Sequence, residues 1–329
     1  MRKIFLSAFL TLVMVLMILT NVRLNVGAEG ELEVCLDNII YKLCSSDNHA
    51  EVIGVKDKKT FSDITILEEI ENNGIKYIVT VISDYAISDC KNLKSVKMPN
   101  SIKKIGVGAF HSCKGLEFII FSKNLETIEE KAFVCCYQLT NLKIPNSVTT
   151  IGDKAFTDCT SLENVEIPNG LVKINDWTFA CCRCLKSVIV PKSVKTLGVA
   201  AFGGCWDLKS VILQDGLEEI GDKAFFGSRD LQSIIIPDSV TKIGIEILAY
   251  SSSLTTVKLP NKLERINNGL FKRCIKLEEI TIPASVKVIG DGVFNESGVR
   301  KVNLYRASLR YGVLNAIPAD KLECIGVVD

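Results

Sequence analysis

The sequence predicts a repeat solenoid, β-rich and of the α/β type, and three features of its 329 residues lead there. An anchoring leucine recurs every 23 residues, at Leu93, Leu116, Leu139, Leu162, Leu185, Leu208, Leu231, Leu254 and Leu277, with no insertion or deletion. An aromatic anchor keeps the same register at Phe110, Phe133, Phe156, Phe179, Phe202, Phe225, Phe271 and Phe294, with Leu248 in one slot. Between these anchors the pattern L-x-x-L-x-I-P-x-S-V-x-x-I-G-x-x-A-F-x-x-C is clearest from Leu139 to Cys159. A period between about 20 and 29 residues with an L-x-x-L-x-L core marks a leucine-rich-repeat stack. Each coil then buries its apolar residues only against its neighbours, and the chain is one quasi-linear body.

The elements follow in order. Residues 1–28 have the form of a secretory signal peptide: Arg2 and Lys3 at the start, an apolar run Ile4 to Leu19, and the small-residue site Val26-Gly27-Ala28. The run is short for a membrane span of ~20 residues, so a membrane attachment is expected only if the signal is not cleaved. Residues 29–80 leave the 23-residue frame. Their short β-like runs, Ile39 to Leu43, Ala50 to Ile53 and Ile64 to Leu67, are separated by polar turns. A solenoid end exposes its first apolar layer, so this stretch is expected to be an N-terminal capping segment.

Residues 81–304 are the coils. Alternation in each L-x-x-I-x-I piece predicts a strand, with Val96 and Met98 inward and Ser95 and Lys97 outward. Proline follows at Pro99, Pro145, Pro168, Pro191, Pro237, Pro260 and Pro283. Having no N–H and a fixed φ, it ends the strand. A second apolar pair such as Val148 and Ile151 precedes a glycine, Gly152 or Gly221 for example, expected to allow a turn with positive φ. The A-F-x-x-C piece is expected to form one or two helical turns. After Ser297 the frame shortens by one residue, and residues 305–329 lose the pattern and are expected to cap the far end.

Charge excludes some partners. Of 39 basic residues, Arg2, Lys3 and Arg23 leave with residues 1–28, which carry none of the 38 acidic ones, so 36 basic groups face 38 acidic. Nucleic acid and anionic membrane surfaces need a clustered basic excess, which is missing.

At these motifs the chain resembles the BspA-type leucine-rich-repeat family of bacterial surface proteins, over roughly residues 78–304. The departures are Ser122 and Gln214 in place of the strand-ending proline and Leu248 in place of the aromatic. The resemblance implies a secreted or surface-exposed adhesion and interaction protein, with some members described as binding host matrix or plasma proteins. It implies no catalytic residues and no cofactor.

Candidate chemistry is sparse. Seven of the 13 cysteines share one repeat slot, Cys90, Cys113, Cys136, Cys159, Cys182, Cys205 and Cys274, while Ser228, Ser251 and Ser297 fill it elsewhere. Stacked side chains are parallel translations ~4.8 Å apart. A disulfide needs converging Cβ atoms at ~3.8 Å, so a small buried thiol is the expected role. Cys135 and Cys181 lie two coils apart, roughly 10 Å, too far to share a zinc ion. Cys35 and Cys44 could be a disulfide staple in the N-terminal segment or two free thiols. The chain has two histidines, His49 in a polar turn and His111 beside an anchor, which leaves no basis for a histidine triad or a multi-histidine metal site. No phosphate-cradling glycine loop occurs.

One outward position carries a binding signal. Along the coils it reads Lys97, Ile120, Lys143, Glu166, Ile189, Ile212, Ile235, Lys258 and Thr281. Three consecutive isoleucines, Ile189, Ile212 and Ile235, predict an exposed apolar stripe bounded by Lys143 and Glu166 on one side and Lys258 on the other. A patch of this kind suits protein recognition. The competing explanation is that isoleucine simply favours strands. The expected function is non-enzymatic recognition of an extracellular protein. The alternative is a structural spacer or envelope component without a ligand.

Overall fold

A computed structural model describes residues 25–26, 32–305 and 324–328. Most of the expected signal segment and residues 306–323 lie outside the described residues. The body is a β-solenoid built from coils of 23 residues.

Two columns of parallel strands run along it. The first stacks Ser95–Lys97, Phe118–Ile120, Asn141–Lys143, Asn164–Glu166, Ser187–Val190, Ser210–Leu213, Ser233–Ile235, Thr256–Lys258 and Glu279–Ile282. The second stacks two-residue strands from Lys104–Ile105 to Val288–Ile289. Register follows the sequence period: Thr127 opposes Thr150, Ile128 opposes Ile151, and Val188 opposes Val211. Glu279 opposes Lys301, the shortened frame seen after Ser297. As the alternation predicts, Val96 and Met98 are buried and Lys97 is exposed.

No helix occurs among the described residues. Where one or two helical turns were expected, the A-F-x-x-C corner is a run of i→i+3 turns. Val134 N–H donates to Lys131, Cys136 to Phe133, and Leu139 to Cys136. The backbone explains the difference. Lys131 and Cys135 both adopt left-handed φ, 57° and 61°, and the equivalent residues Lys154 and Asp158 do the same. A left-handed residue every four positions stops a right-handed helix from propagating. The corner instead hydrogen-bonds to the next coil, as in Phe110 N–H to Ala132 O at 2.8 Å.

The recurring glycine of the motif also differs from expectation. Gly152 and Gly221 do not have positive φ. A Cβ on Gly152 would lie 2.4 Å from the backbone nitrogen of Glu130, and one on Gly221 would lie 2.7 Å from the carbonyl carbon of Gly198. Glycine is needed there because adjacent coils touch backbone to backbone.

The core is a set of columns. Phe110, Phe133, Phe156, Phe179, Phe202 and Phe225 stack with ring centroids 5.0 to 5.7 Å apart and planes within 7°. Leu248 interrupts the stack, which resumes between Phe271 and Phe294. Beside it runs the cysteine column, fully buried and free of disulfides. Each thiol from Cys113 onward donates to the carbonyl of the anchor residue 26 positions earlier. Cys136 reaches Phe110 O at 3.3 Å, Cys159 reaches Phe133 O at 3.4 Å, and Cys274 reaches Leu248 O at 3.2 Å.

The N-terminal segment forms Leu32–Leu36, Ile39–Cys44 and His49–Val55 as antiparallel neighbours, with His49–Val55 then parallel to Ile75–Ile82. Ile75–Ile82 pairs with Lys104–Ile105 of the first coil, so the two sheets are continuous. Asp63–Thr65 joins the other column beside Ser95–Lys97. Cys35 opposes Ile40, four positions along the strand from Cys44 and roughly 13 Å away. That is too far for the staple, so Cys35 and Cys44 are not bridged to one another. At the far end Cys324–Val328 adds a parallel strand beside Lys301–Tyr305.

Candidate interaction surface

Strand alternation places the outward residues of the first column in one row. Ile189 opposes Ile212 across paired strands, and Ile235 opposes Lys258 in the next pair. The three isoleucines are 53%, 50% and 63% exposed, while their strand neighbours Val188 and Ile234 are buried. No described segment covers them. Lys143 and Glu166 oppose one another and form an ion pair at 3.0 Å, fully in solvent. Such a pair adds little stability, about 0–1 kcal/mol, and leaves both charges available at the edge of the stripe. Asn164 donates to Asn141 at 2.9 Å behind that pair.

A second apolar pair lies on the same column beyond the polar strands. Phe118 and Ile120 of strand Phe118–Ile120 are both half exposed. Ile120 was visible in the outward row. Phe118 lies outside that row, in the slot that holds Ser187, Ser210 and Ser233 elsewhere. The sheet face therefore alternates along its length: apolar at Phe118 and Ile120, polar from Asn141 to Glu166, apolar from Ile189 to Ile235, and charged at Lys258.

The corner before the strands has its own cleft, of about 660 Å³, lined in part by Trp206, Phe226, Tyr250 and Ile275. Trp206 is held between two guanidinium groups, Arg183 at 4.4 Å and Arg229 at 4.2 Å from the ring centroid. Phe226 and Tyr250 touch with centroids 4.9 Å apart. These residues occupy corner slots one coil apart, and only the stacking of coils brings them together. Gly204 and Gly227 open the space between them, in the slot where Cys181 and Tyr250 carry side chains.

The expected thiol chemistry is seen in its simplest form. Burial pushes the thiols of Cys136, Cys159, Cys182, Cys205 and Cys274 up, Cys274 to about 12 and Cys182 well above its ordinary value, whereas a hydrogen bond with Cys113 lowers Cys90. A thiol so disfavoured as thiolate is neither a nucleophile nor a metal ligand. Cys135 and Cys181 are half-buried and join no group of three metal-ligating side chains among the described residues.

The profile of the BspA type Leucine rich repeat region matches this sequence in six copies, over residues 80–206 and 195–310. The chain belongs to that family. Among solved structures it is similar to the pneumococcal vaccine antigen PcpA, at 25% identity and a TM-score of 0.60, covering 90% of this chain and 85% of that one. It is also similar to the leucine-rich-repeat protein of T. pallidum, at 24% identity and a TM-score of 0.53, over 66% of this chain and 88% of that one. A leucine-rich cell surface protein of Faecalibacterium prausnitzii aligns at 20% identity with a TM-score of 0.50, over 92% and 96%. No curated protein matches.

Proposed function

We propose that this BspA-type protein is an extracellular, non-enzymatic recognition protein, secreted or held at the cell surface, that binds another protein in the manner of an adhesin. The observation that carries the reading is the row Ile189, Ile212 and Ile235, half-exposed isoleucines on three successive strands of one column, the first two directly paired, in coils whose turns are tied to one another. Strands normally put polar residues on a solvent face, and a contiguous apolar patch with a charged rim is what a partner surface covers. The rigid stack holds the patch in its bound shape, so little ordering cost opposes association. Lys143, Glu166 and Lys258 set the register of the partner, which for an extracellular protein is a host matrix or plasma protein. Residues 29–80 and 305–329 act as the caps that keep the ends of the stack from pairing with other chains. Likeness to a protein described as a vaccine antigen supports contact with a host.

The test is binding of the purified protein to a panel of immobilised matrix and plasma proteins, beside a triple Ile189→Lys, Ile212→Lys, Ile235→Lys variant shown to be folded by circular dichroism. Re-exposing three half-covered isoleucines costs about 1 kcal/mol each, a loss of roughly a hundredfold in affinity. Equal binding by both proteins moves the site off the stripe. Binding by neither favours the spacer role.

A further inference from the structure

The hairpin of strands Ile39–Cys44 and His49–Val55 brings together three side chains that lie apart in the sequence. Cys44 and His49 are directly opposed across the mouth of the hairpin, and Lys42 opposes Glu51. Alternation puts Cys44, His49 and Glu51 on one face, away from buried Leu43, Ala50 and Val52. One ligand atom from each of the three, the Cys44 sulfur, a His49 ring nitrogen and a Glu51 carboxylate oxygen, lies within 4.8 Å of the other two. All three are half-buried.

The surrounding groups orient these atoms. Asp47 Oδ1 lies 2.5 Å from His49 Nδ1, and a carboxylate there holds a proton on Nδ1 and turns Nε2 toward Glu51. Nε2 lies 3.3 Å from Glu51 Oε1. The other Glu51 oxygen accepts a hydrogen bond from Ser83 Oγ at 2.9 Å, which fixes the carboxylate from behind. A carboxylate on the far nitrogen of a ligating imidazole is the usual outer partner of a metal-bound histidine. The gap between Nε2 and Glu51 Oε1 is filled by a proton when the imidazole is charged, and it has the separation of two ligand atoms on one metal ion when the imidazole is neutral. The Cys44 sulfur within 4.8 Å of both supplies the third ligand that a proton does not use.

We propose that Cys44, His49 and Glu51 form a binding site for a divalent transition metal, Zn(II) by preference, with one coordination position open. One sulfur, one imidazole nitrogen and one carboxylate oxygen are a borderline donor set, which suits zinc over calcium or magnesium. Bound metal pins the mouth of the hairpin at the end of the solenoid, in a segment with no disulfide among its described cysteines. The site is independent of the isoleucine stripe.

The experiment is a titration of the purified, reduced protein with Co(II), followed by displacement with Zn(II), with the melting temperature recorded in parallel. The expected result is one equivalent of Co(II), a sulfur-to-cobalt charge-transfer band in the near ultraviolet, loss of the band on adding one equivalent of Zn(II), and a higher melting temperature with zinc. Cys44→Ser abolishes the band. His49→Gln and Glu51→Gln weaken binding at least tenfold, and Asp47→Asn, which keeps every ligand, weakens it by roughly 10- to 100-fold. Glu51→Gln keeps its contact with Ser83 and carries the test should Cys44→Ser fail to fold. No sulfur-to-cobalt band, a band that survives Cys44→Ser, or affinity unchanged in both His49→Gln and Glu51→Gln would overturn the proposal.

Discussion

The cysteine column makes a prediction with an unusual direction: converting a buried serine to cysteine should stabilise the protein. In six coils the slot thiol donates to the anchor carbonyl 26 residues back, at 3.0 to 3.4 Å. Ser228 and Ser251 occupy the same slot, are fully buried, and their hydroxyls have no partner. The C–O bond is shorter than the C–S bond, and the hydroxyl falls short of the carbonyl that sulfur reaches. A buried unsatisfied hydroxyl costs about 1–3 kcal/mol. Cysteine removes that cost, buries a more apolar atom and regains a weak hydrogen bond, while its larger volume takes back part of the gain in a close-packed column. The net expectation is about 1 kcal/mol of added stability for Ser228→Cys and for Ser251→Cys. The reverse change, Cys159→Ser, should cost about 1–2 kcal/mol. Urea unfolding under reducing conditions, followed by circular dichroism, measures all three. A neutral Cys159→Ser together with a destabilised Ser228→Cys would refute the argument and make the slot a matter of size alone.

Two further predictions test the coil geometry and the ionisation of the core. Gly152→Ala drives a Cβ to 2.4 Å from Glu130 N and should cost about 3 kcal/mol, from overpacking and the loss of neighbouring inter-coil hydrogen bonds. Lys154→Gly, at φ 58°, relieves left-handed strain and should be neutral or stabilising by up to ~1 kcal/mol in the same urea assay; the opposite ranking would contradict the close-approach account. Alkali should weaken the fold, because burial raises the thiols of Cys136, Cys159, Cys182, Cys205 and Cys274 above their ordinary 9.0 and raises Tyr41 from 10.0 to about 12. With folded values raised, their contribution is complete below pH 9 and is lost as pH climbs from 9 through 12. The urea midpoint should fall across that window, and a midpoint that holds steady or rises would show that the column thiols ionise freely in the folded state.

The repeat made most of the fold legible. A fixed period of 23 residues dictates that residue i stacks on i+23, so the strand register, the inward set and the row of Ile189, Ile212 and Ile235 all follow from the sequence. What was missed depends on contacts between coils or on backbone conformation that the letters do not encode. Gly152 looked like a turn glycine because positive φ is the commoner reason for glycine, and the approach of Glu130 appears only once the coils are stacked. The corner looked helical because Ala and Phe spacing says nothing of the left-handed Lys131 and Cys135. The Trp206 cleft draws on Arg183 and Arg229 from neighbouring coils. Cys44, His49 and Glu51 lie outside the repeat, where no period announces which residues will face each other, though a cysteine and a histidine flanking a four-residue turn were a usable hint.

The most direct measurement for the recognition account is hydrogen–deuterium exchange of the protein alone and saturated with whichever panel protein it binds. The account predicts slowed exchange concentrated in strands Ser187–Val190, Ser210–Leu213 and Ser233–Ile235 and their flanking turns, with the other coils unchanged. Protection confined to the Trp206 corner or to residues 32–82, with those three strands unaffected, would contradict it.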